Sequence, residues 1–146
     1  MRPSIIAFFS LLSVATATRT FNITAALQPG NFDKYHCATT EQVVNLLPSC
    51  LASCQRNANA NDGCAYDDIA CHCVNYVKYS SLIEPCAFPP NGSCTFADLT
   101  IARPIVNDLC NFFNATLYAA YDKCNQTLSP DLTNCIIAKE DTVITE

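Results

Sequence analysis

Pro48-Ser49-Cys50-Leu51-Ala52-Ser53-Cys54 begins the stretch of sequence that decides the fold, and Cys86 ends it. Between them lie Cys64 and the run Asp68-Ile69-Ala70-Cys71-His72-Cys73. The whole chain has 11 cysteines in 146 residues, which is close to the ~8–10% density that marks a disulfide scaffold. Because disulfides persist in oxidising compartments, this interpretation requires that the chain be exported.

The N-terminus has the pattern of a secretory signal peptide. A weakly positive start with Arg2 precedes an apolar run from Ile5 to Val14, and Ala15-Thr16-Ala17 then fits an A-x-A cleavage site. The apolar run is too short to cross a bilayer as a helix, which takes ~20 residues. We therefore expect residues 1–17 to be a signal peptide.

The glycosylation sequons and the net charge also favour a secreted protein. N-linked glycans are added only in the secretory lumen, and acceptor sequons lie at Asn22, Asn91, Asn114 and Asn125. The net charge of −5, without any basic cluster, argues against a nucleic-acid partner. The short, charged tail after Cys135 lacks the pattern of a lipid-anchor signal. We expect a secreted extracellular protein, in the cell wall or host apoplast, with no stable membrane anchor.

Helical periodicity predominates along the chain, so the sequence predicts an all-α fold. Thr39 or Thr40 is expected to cap a first helix, and Pro48 suits the first turn of a second helix. The polar residues 55–63 are predicted to form a loop. Asp67 or Asp68 is expected to cap the helix that carries Cys71 and Cys73, and Thr95 with Asp98 resembles a capping box for a later helix.

The cysteine spacing resembles the CFEM domain of fungal extracellular proteins. That family has a proline before the first cysteine, then C-x3-C, a loop of about nine residues and Asp-x-x-Cys-x-Cys, and this chain matches each part. The resemblance extends over residues 48–110. It implies a small helical basket stapled by disulfides, here preceded by an extended arm (18–36). The CFEM-like domain would span 37–115 and a helical C-terminal extension would span 116–146. The interval between Cys86 and Cys94 is longer than the family's usual one.

The resemblance also implies a disulfide pairing. Carried onto this sequence, the pairs are Cys50–Cys94, Cys54–Cys86, Cys64–Cys71 and Cys73–Cys110. Three further cysteines lie outside this register, and we expect Cys124 to pair with Cys135, which leaves Cys37 unpaired or bonded between molecules. The alternative pairs Cys37 with Cys124 or Cys135.

Haem-binding members of the family use the aspartate at the position of Asp68 as the axial ligand of ferric haem. The resemblance therefore implies Asp68 as a haem-iron ligand, and the alternative is that Asp68 only caps its helix. His72 is expected to face solvent, although a hydrogen bond to Asp68 or a contact with iron stays open. Four aromatic residues are candidates for an apolar haem platform or for ordinary core: Tyr76, Tyr79, Phe88 and Phe96.

Two functions follow as expectations. The first is a soluble haem- or iron-binding protein that uses Asp68, with haem as the cofactor or another small ligand in its place. The second is a secreted effector that acts on a host or cell-surface protein without haem, and so modulates immunity or cell death. We expect no enzyme activity, because no motif pairs a nucleophile with an acid or base.

Overall fold

The structure, a computed structural model, describes residues 23–129, so the predicted signal peptide, Asn22 and Cys135 lie outside the described residues. The described residues form α-helices and 3₁₀ helices without any β-strand, which confirms the all-α class. In chain order the helices are α1 (Ile23–Ala26), α2 (Asn31–Tyr35), α3 (Thr40–Leu46), a 3₁₀ helix (Ser49–Leu51), α4 (Ala52–Asn61), α5 (Ile69–Val74), α6 (Tyr76–Ala87), α7 (Phe96–Thr116) and a second 3₁₀ helix (Leu117–Tyr121).

Side-chain caps begin the helices at the predicted positions. Thr39 caps α3 in a reciprocal capping box with Gln42. Asp68 caps α5. The carboxylate of Asp98 accepts from the backbone N–H of Thr95 at 2.9 Å, and the Thr95 hydroxyl accepts in return from the Asp98 N–H at 3.2 Å. Hydrogen bonds from Thr95 hold the pKa of Asp98 below its usual value.

Three predicted segments differ from the structure. The loop predicted for residues 55–63 is wrong for residues 55–61, which belong to α4. The buried side-chain amides of Gln55 and Asn59 form hydrogen bonds inside the fold. The predicted extended arm contains the short helices α1 and α2. In the predicted helical extension, the described part holds only the end of α7 and one 3₁₀ helix, and residues 122–129 are not helical.

The core forms where the helices cross. α4 packs against α6 and α3, whereas α5, α1 and α2 pack against the long helix α7. Phe112 and Phe113 of α7 are fully buried, and the ring of Tyr35 from α2 lies against Phe112 with 5.1 Å between centroids. The Tyr35 hydroxyl donates a hydrogen bond to Asp108 of α7. The N-terminal helices are thereby part of the folded unit.

Five disulfides join these helices. The four pairs implied by the family resemblance are all present, with Cα–Cα distances of 5.2–5.8 Å; they are Cys50–Cys94, Cys54–Cys86, Cys64–Cys71 and Cys73–Cys110. Disulfides stabilise a small fold mainly by restricting the unfolded chain. They therefore fix the mutual positions of α4, α5, α6 and α7.

The longer interval between Cys86 and Cys94 folds back on the end of α6. The backbone N–H of Cys94 donates to the carbonyl of Ala87 at 3.0 Å, and that of Gly92 donates to Phe88 at 2.8 Å. A Cβ atom at Gly92 would lie 2.2 Å from backbone atoms of Ala87 and Phe88, so this turn requires glycine. The turn keeps Cys94 within reach of Cys50 despite the additional residues.

The fifth disulfide joins Cys37 to Cys124, with a Cα–Cα distance of 5.4 Å. The predicted Cys124–Cys135 pair is therefore wrong, as is the prediction that Cys37 stays unpaired. Nearness in sequence favoured Cys135, but the fold brings the end of α2 against the second 3₁₀ helix. The backbone N–H of Cys37 donates to the carbonyl of Ala120 at 3.1 Å, which places the two sulfurs together.

Candidate functional site

Asp68 begins α5 and is 0% exposed. Its Oδ1 accepts a hydrogen bond from the backbone N–H of Cys71 at 3.1 Å, as is usual for an aspartate that caps a helix. The carbonyl of Asp68 accepts from the N–H of His72 at 3.2 Å. The structure thus shows the capping role that the sequence had left open.

Residues 121–129, here named the C-terminal cover, lie over this carboxylate. Asp68 Oδ2 accepts from the backbone N–H of Ser129 at 2.8 Å, and Oδ1 accepts from the Tyr121 hydroxyl at 3.4 Å. The Tyr121 hydroxyl also accepts from the N–H of Ala70 at 2.9 Å. Burial raises the pKa of Tyr121, so the phenol keeps its proton at neutral pH and donates to Asp68.

Several contacts hold the C-terminal cover in place. The hydroxyl of Ser129 accepts from the backbone N–H of Ala65 at 2.8 Å. The side chain of Gln126 donates to the carbonyl of Ala38 at 2.8 Å. The Cys37–Cys124 disulfide precedes both contacts in the chain and lies next to the one made by Gln126. The cover is thereby attached to α5 at one end and to the segment after α2 at the other.

His72, on the next turn of α5, forms a buried pair with Asp62. His72 Nδ1 lies 2.6 Å from Asp62 Oδ2, and His72 Nε2 lies 3.1 Å from the carbonyl of Tyr66. The carbonyl only accepts, so Nε2 carries a hydrogen, and one further proton lies between Nδ1 and the carboxylate. The predicted solvent-facing histidine is wrong, since His72 is only 5% exposed, and its partner is Asp62 instead of Asp68.

Asp62 was missed by sequence reasoning although it organises the loop before α5. Besides His72, its Oδ1 accepts from the backbone N–H of Cys64 at 3.0 Å, and its carbonyl accepts from the side chain of Asn75 at 2.6 Å. Gly63 follows with φ of +94°, a left-handed conformation that glycine adopts without strain. The Asp-Gly pair directly before a cysteine was the available signal for a turn of this kind.

A chain of buried polar side chains joins α6 to the same loop. The Tyr79 hydroxyl donates to Gln55 at 2.6 Å, Gln55 donates to Asn59 at 3.0 Å, and Asn59 donates to Thr40 at 2.8 Å. The Thr40 hydroxyl in turn donates to the carbonyl of Tyr66. Each of these buried groups has a hydrogen-bond partner within the chain of side chains, so the network holds the helices together.

An apolar groove of about 260 Å³ opens between α6 and α7. Three of the four aromatic residues named as platform candidates line it, namely Tyr76, Tyr79 and Phe88. The fourth, Phe96, is 73% exposed. Asp68 is not among the lining residues, so the structure separates the candidate iron ligand from the candidate platform.

Two clusters of potential metal donors occur among residues 23–129, and each contains a cysteine. One consists of Asp62, Cys64 and His72, and the other of His36, Cys37 and Cys124. All three cysteines are bonded in disulfides. Because the thiolate is the metal-binding form of cysteine, neither cluster offers a cysteine ligand in the oxidised protein.

Residues 43–111 match the model of the CFEM domain family. This chain carries a CFEM domain. No curated protein and no solved structure matches the chain. The matched region of the CFEM domain begins within α3 and ends within α7. Asp68 and His72 therefore belong to the domain, whereas the C-terminal cover and the Cys37–Cys124 disulfide lie outside it.

The CFEM domain of this chain does not present Asp68 to a haem in the arrangement described. A ligand must offer a lone pair to the iron, and an ionised carboxylate has about four such sites. Three donors occupy three of these sites on Asp68, and no exposed surface of the side chain leads to the remaining one. The C-terminal cover occupies the approach, so Asp68 is free to bind iron only where residues 121–129 have moved away.

Proposed function

We propose that this CFEM protein is a secreted, non-enzymatic fungal protein that acts through contact with a host or cell-surface protein. The observation that carries this choice is the burial of Asp68. The side chain that the family resemblance assigns to haem is here bonded to the chain's own Cys71, Tyr121 and Ser129. An interaction protein requires a stable outer surface and does not require that Asp68 be exposed.

The outer surface supports a role in protein contact. Five disulfides fix the helices, so surface side chains are held with little loss of entropy on binding. Large apolar side chains are exposed on this surface, including Phe96 and Ile101 of α7 and Val77 of α6. Exposed aromatic residues commonly supply much of the affinity at protein interfaces. Phe96 is therefore the side chain that we assign to partner contact.

Several observations support secretion without catalysis. Proteins with a CFEM domain are extracellular or at the cell surface, and the family is not known as enzymatic. Between residues 23 and 129, no helix is long and apolar enough to cross a membrane. Two of the sequon asparagines, Asn91 and Asn125, are exposed, and Asn114 is half-buried. The acid–base pair of Asp62 and His72 is buried and closed by its own hydrogen bonds.

Tissue of a host treated with the purified, oxidised full chain is expected to show a changed immune response or cell death. Phe96→Asp should raise the dose needed for this response at least tenfold, because an anchoring aromatic is lost while an acidic residue suits the first turn of α7. The matched control is Leu27→Asp, which adds the same charge at another exposed apolar site. The response is measured as the oxidative burst and as ion leakage from dying cells.

Two outcomes contradict this proposal. One is a wild-type protein that changes neither readout at any dose. The other is a response that requires added hemin, or that Phe96→Asp and Leu27→Asp reduce equally.

Haem binding is the second candidate function, favoured by the position of Asp68 within the CFEM domain. In the oxidised wild type, hemin titration is expected to give no Soret band that depends on Asp68, because the C-terminal cover encloses the carboxylate. The double variant Cys37→Ser/Cys124→Ser releases one attachment of the cover and should permit such a band. Adding Asp68→Ala to that double variant should then remove it.

The same titration distinguishes the two candidates. A Soret band in the oxidised wild type that Asp68→Ala abolishes would establish the haem function and contradict a closed cover. No Asp68-dependent band in either background would exclude haem at Asp68. Circular dichroism of each variant shows whether the helices are retained.

A further inference from the structure

The groove between α6 and α7 combines an apolar floor with unpaired polar groups at its edge. Large aliphatic side chains line the groove. Leu47 and Leu51 come from the segment before α4, Ile83 comes from α6, and Leu99 and Val106 come from α7. At about 260 Å³, it is slightly smaller than the ~300–1,000 Å³ pockets that hold drug-sized molecules. This size suits one short acyl chain or a single aromatic ring.

Arg103 and Asn107 lie one turn apart on α7, and both line this groove. Both are exposed. Within the described part of the chain, neither side chain has an ion-pair or hydrogen-bond partner, whereas Lys34 and Arg56 are paired with Asp108 and Glu41. The groove therefore has a guanidinium and an amide at one wall that no group of the protein occupies.

Glu84 lines the opposite wall of the groove, on α6. It too has no ion-pair partner among residues 23–129, and it does not pair with Arg103 across the groove. An anion at this wall disfavours a second negative charge on any ligand. A ligand with a single negative group beside Arg103 is compatible with Glu84 on the other wall.

We propose that this groove binds a monocarboxylate with an apolar body, such as a medium-chain fatty acid or an aromatic acid. The carboxylate accepts two parallel hydrogen bonds from the guanidinium of Arg103, the geometry in which arginine recognises carboxylates most strongly. Asn107 donates a third from its amide group. The apolar body lies between Leu51, Ile83 and Leu99 and is removed from water, which supplies most of the affinity.

This inference is independent of the proposed function and of Asp68. The residues that line the groove include neither Asp68 nor any residue of the C-terminal cover, and its ligand is not a metal. Glu84 also makes a dicarboxylate such as hemin a poor occupant, so binding here would not imitate haem binding at Asp68. A medium-chain ligand would tell us what the protein carries or senses outside the cell.

The test uses octanoate, octanol and octylamine as probes of one chain length, titrated into the oxidised full chain and followed by amide NMR shifts. Octanoate is expected to bind at least tenfold more tightly than octanol and to shift the amides around Leu99 and Arg103. Affinity should rise about fourfold for each methylene from hexanoate to octanoate, as expected when each group is buried in turn. Octylamine should bind more weakly than octanoate.

Arg103→Gln is expected to reduce octanoate affinity at least tenfold and to leave octanol affinity within twofold. Lys78→Gln is the matched control, because Lys78 is an exposed cation of α6 that does not line the groove; it should change neither affinity by more than twofold. Equal octanoate affinity in Arg103→Gln and Lys78→Gln would overturn the proposal. So would tighter binding of octylamine or octanol than of octanoate, or shifts that map elsewhere.

Discussion

Replacing Asp68 with alanine is expected to lower the free energy of unfolding by about 3 kcal/mol. The loss of an aspartate N-cap costs about 1 kcal/mol, and a buried donor left without its acceptor costs about 1–3 kcal/mol more. Asp68 is fully buried and accepts from the N–H groups of Cys71 and Ser129. Denaturant unfolding of the oxidised protein, followed by circular dichroism, measures the change.

Two comparison variants separate the cap of α5 from the attachment of the cover. Asp98→Ala removes a partly exposed capping carboxylate from α7 and should cost clearly less than Asp68→Ala, because water can replace its hydrogen bonds. Asp68→Asn keeps an oxygen for Cys71 but presents an amide NH₂ to the N–H of Ser129. It should therefore speed amide hydrogen exchange of the C-terminal cover while α5 stays folded. Equal stability losses in Asp68→Ala and Asp98→Ala would contradict the buried role of Asp68.

The cap of Asp68 could be predicted from sequence, because it depends on neighbours in the chain. An aspartate three residues before Cys71 reaches that residue's N–H wherever a helix begins at the aspartate. The capping boxes at Thr39 and Thr95 are local in the same sense. The four family disulfides followed from the CFEM resemblance, since spacing alone leaves many pairings open.

The C-terminal cover could not be predicted, because it depends on contacts between distant parts of the chain. Ser129 and Asp68 are 61 residues apart, and the Cys37–Cys124 disulfide spans 87 residues. Neither lies entirely within the matched CFEM region. The resemblance therefore drew attention to Asp68, but it could not predict that residues 121–129 enclose this side chain.

The loop predicted for residues 55–63 was wrong for a related reason. Its asparagine-rich sequence has weak helix propensity, and propensity is all that a sequence window shows. In the fold, Gln55 and Asn59 lie on the buried side of α4 and bond to Tyr79 and Thr40. Unsatisfied amides would be costly in that position, so these partners stabilise the helix and outweigh the propensity.

Replacing His72 with phenylalanine is expected to lower the free energy of unfolding by about 4 kcal/mol. Phenylalanine fills the space of the imidazole but cannot hydrogen-bond, so the carboxylate of Asp62 stays buried without its partner. Removing one member of a buried charged pair typically costs about 3–5 kcal/mol. The carbonyl of Tyr66 also loses its donor. Denaturant unfolding under oxidising conditions measures this loss.

His36→Phe is the matched control, because it makes the same replacement at the other histidine of the chain, which is half-buried near the C-terminal cover. Its hydrogen bond to the Asp122 carbonyl lies at the surface, so the loss should be much smaller. The double variant His72→Phe/Asp62→Leu removes both members and should recover part of the stability, since no unpaired charge remains. Losses that simply add in the double variant would show that the two side chains are not coupled. Recovery would establish that the buried side chains of Asp62 and His72 stabilise the fold as a coupled pair.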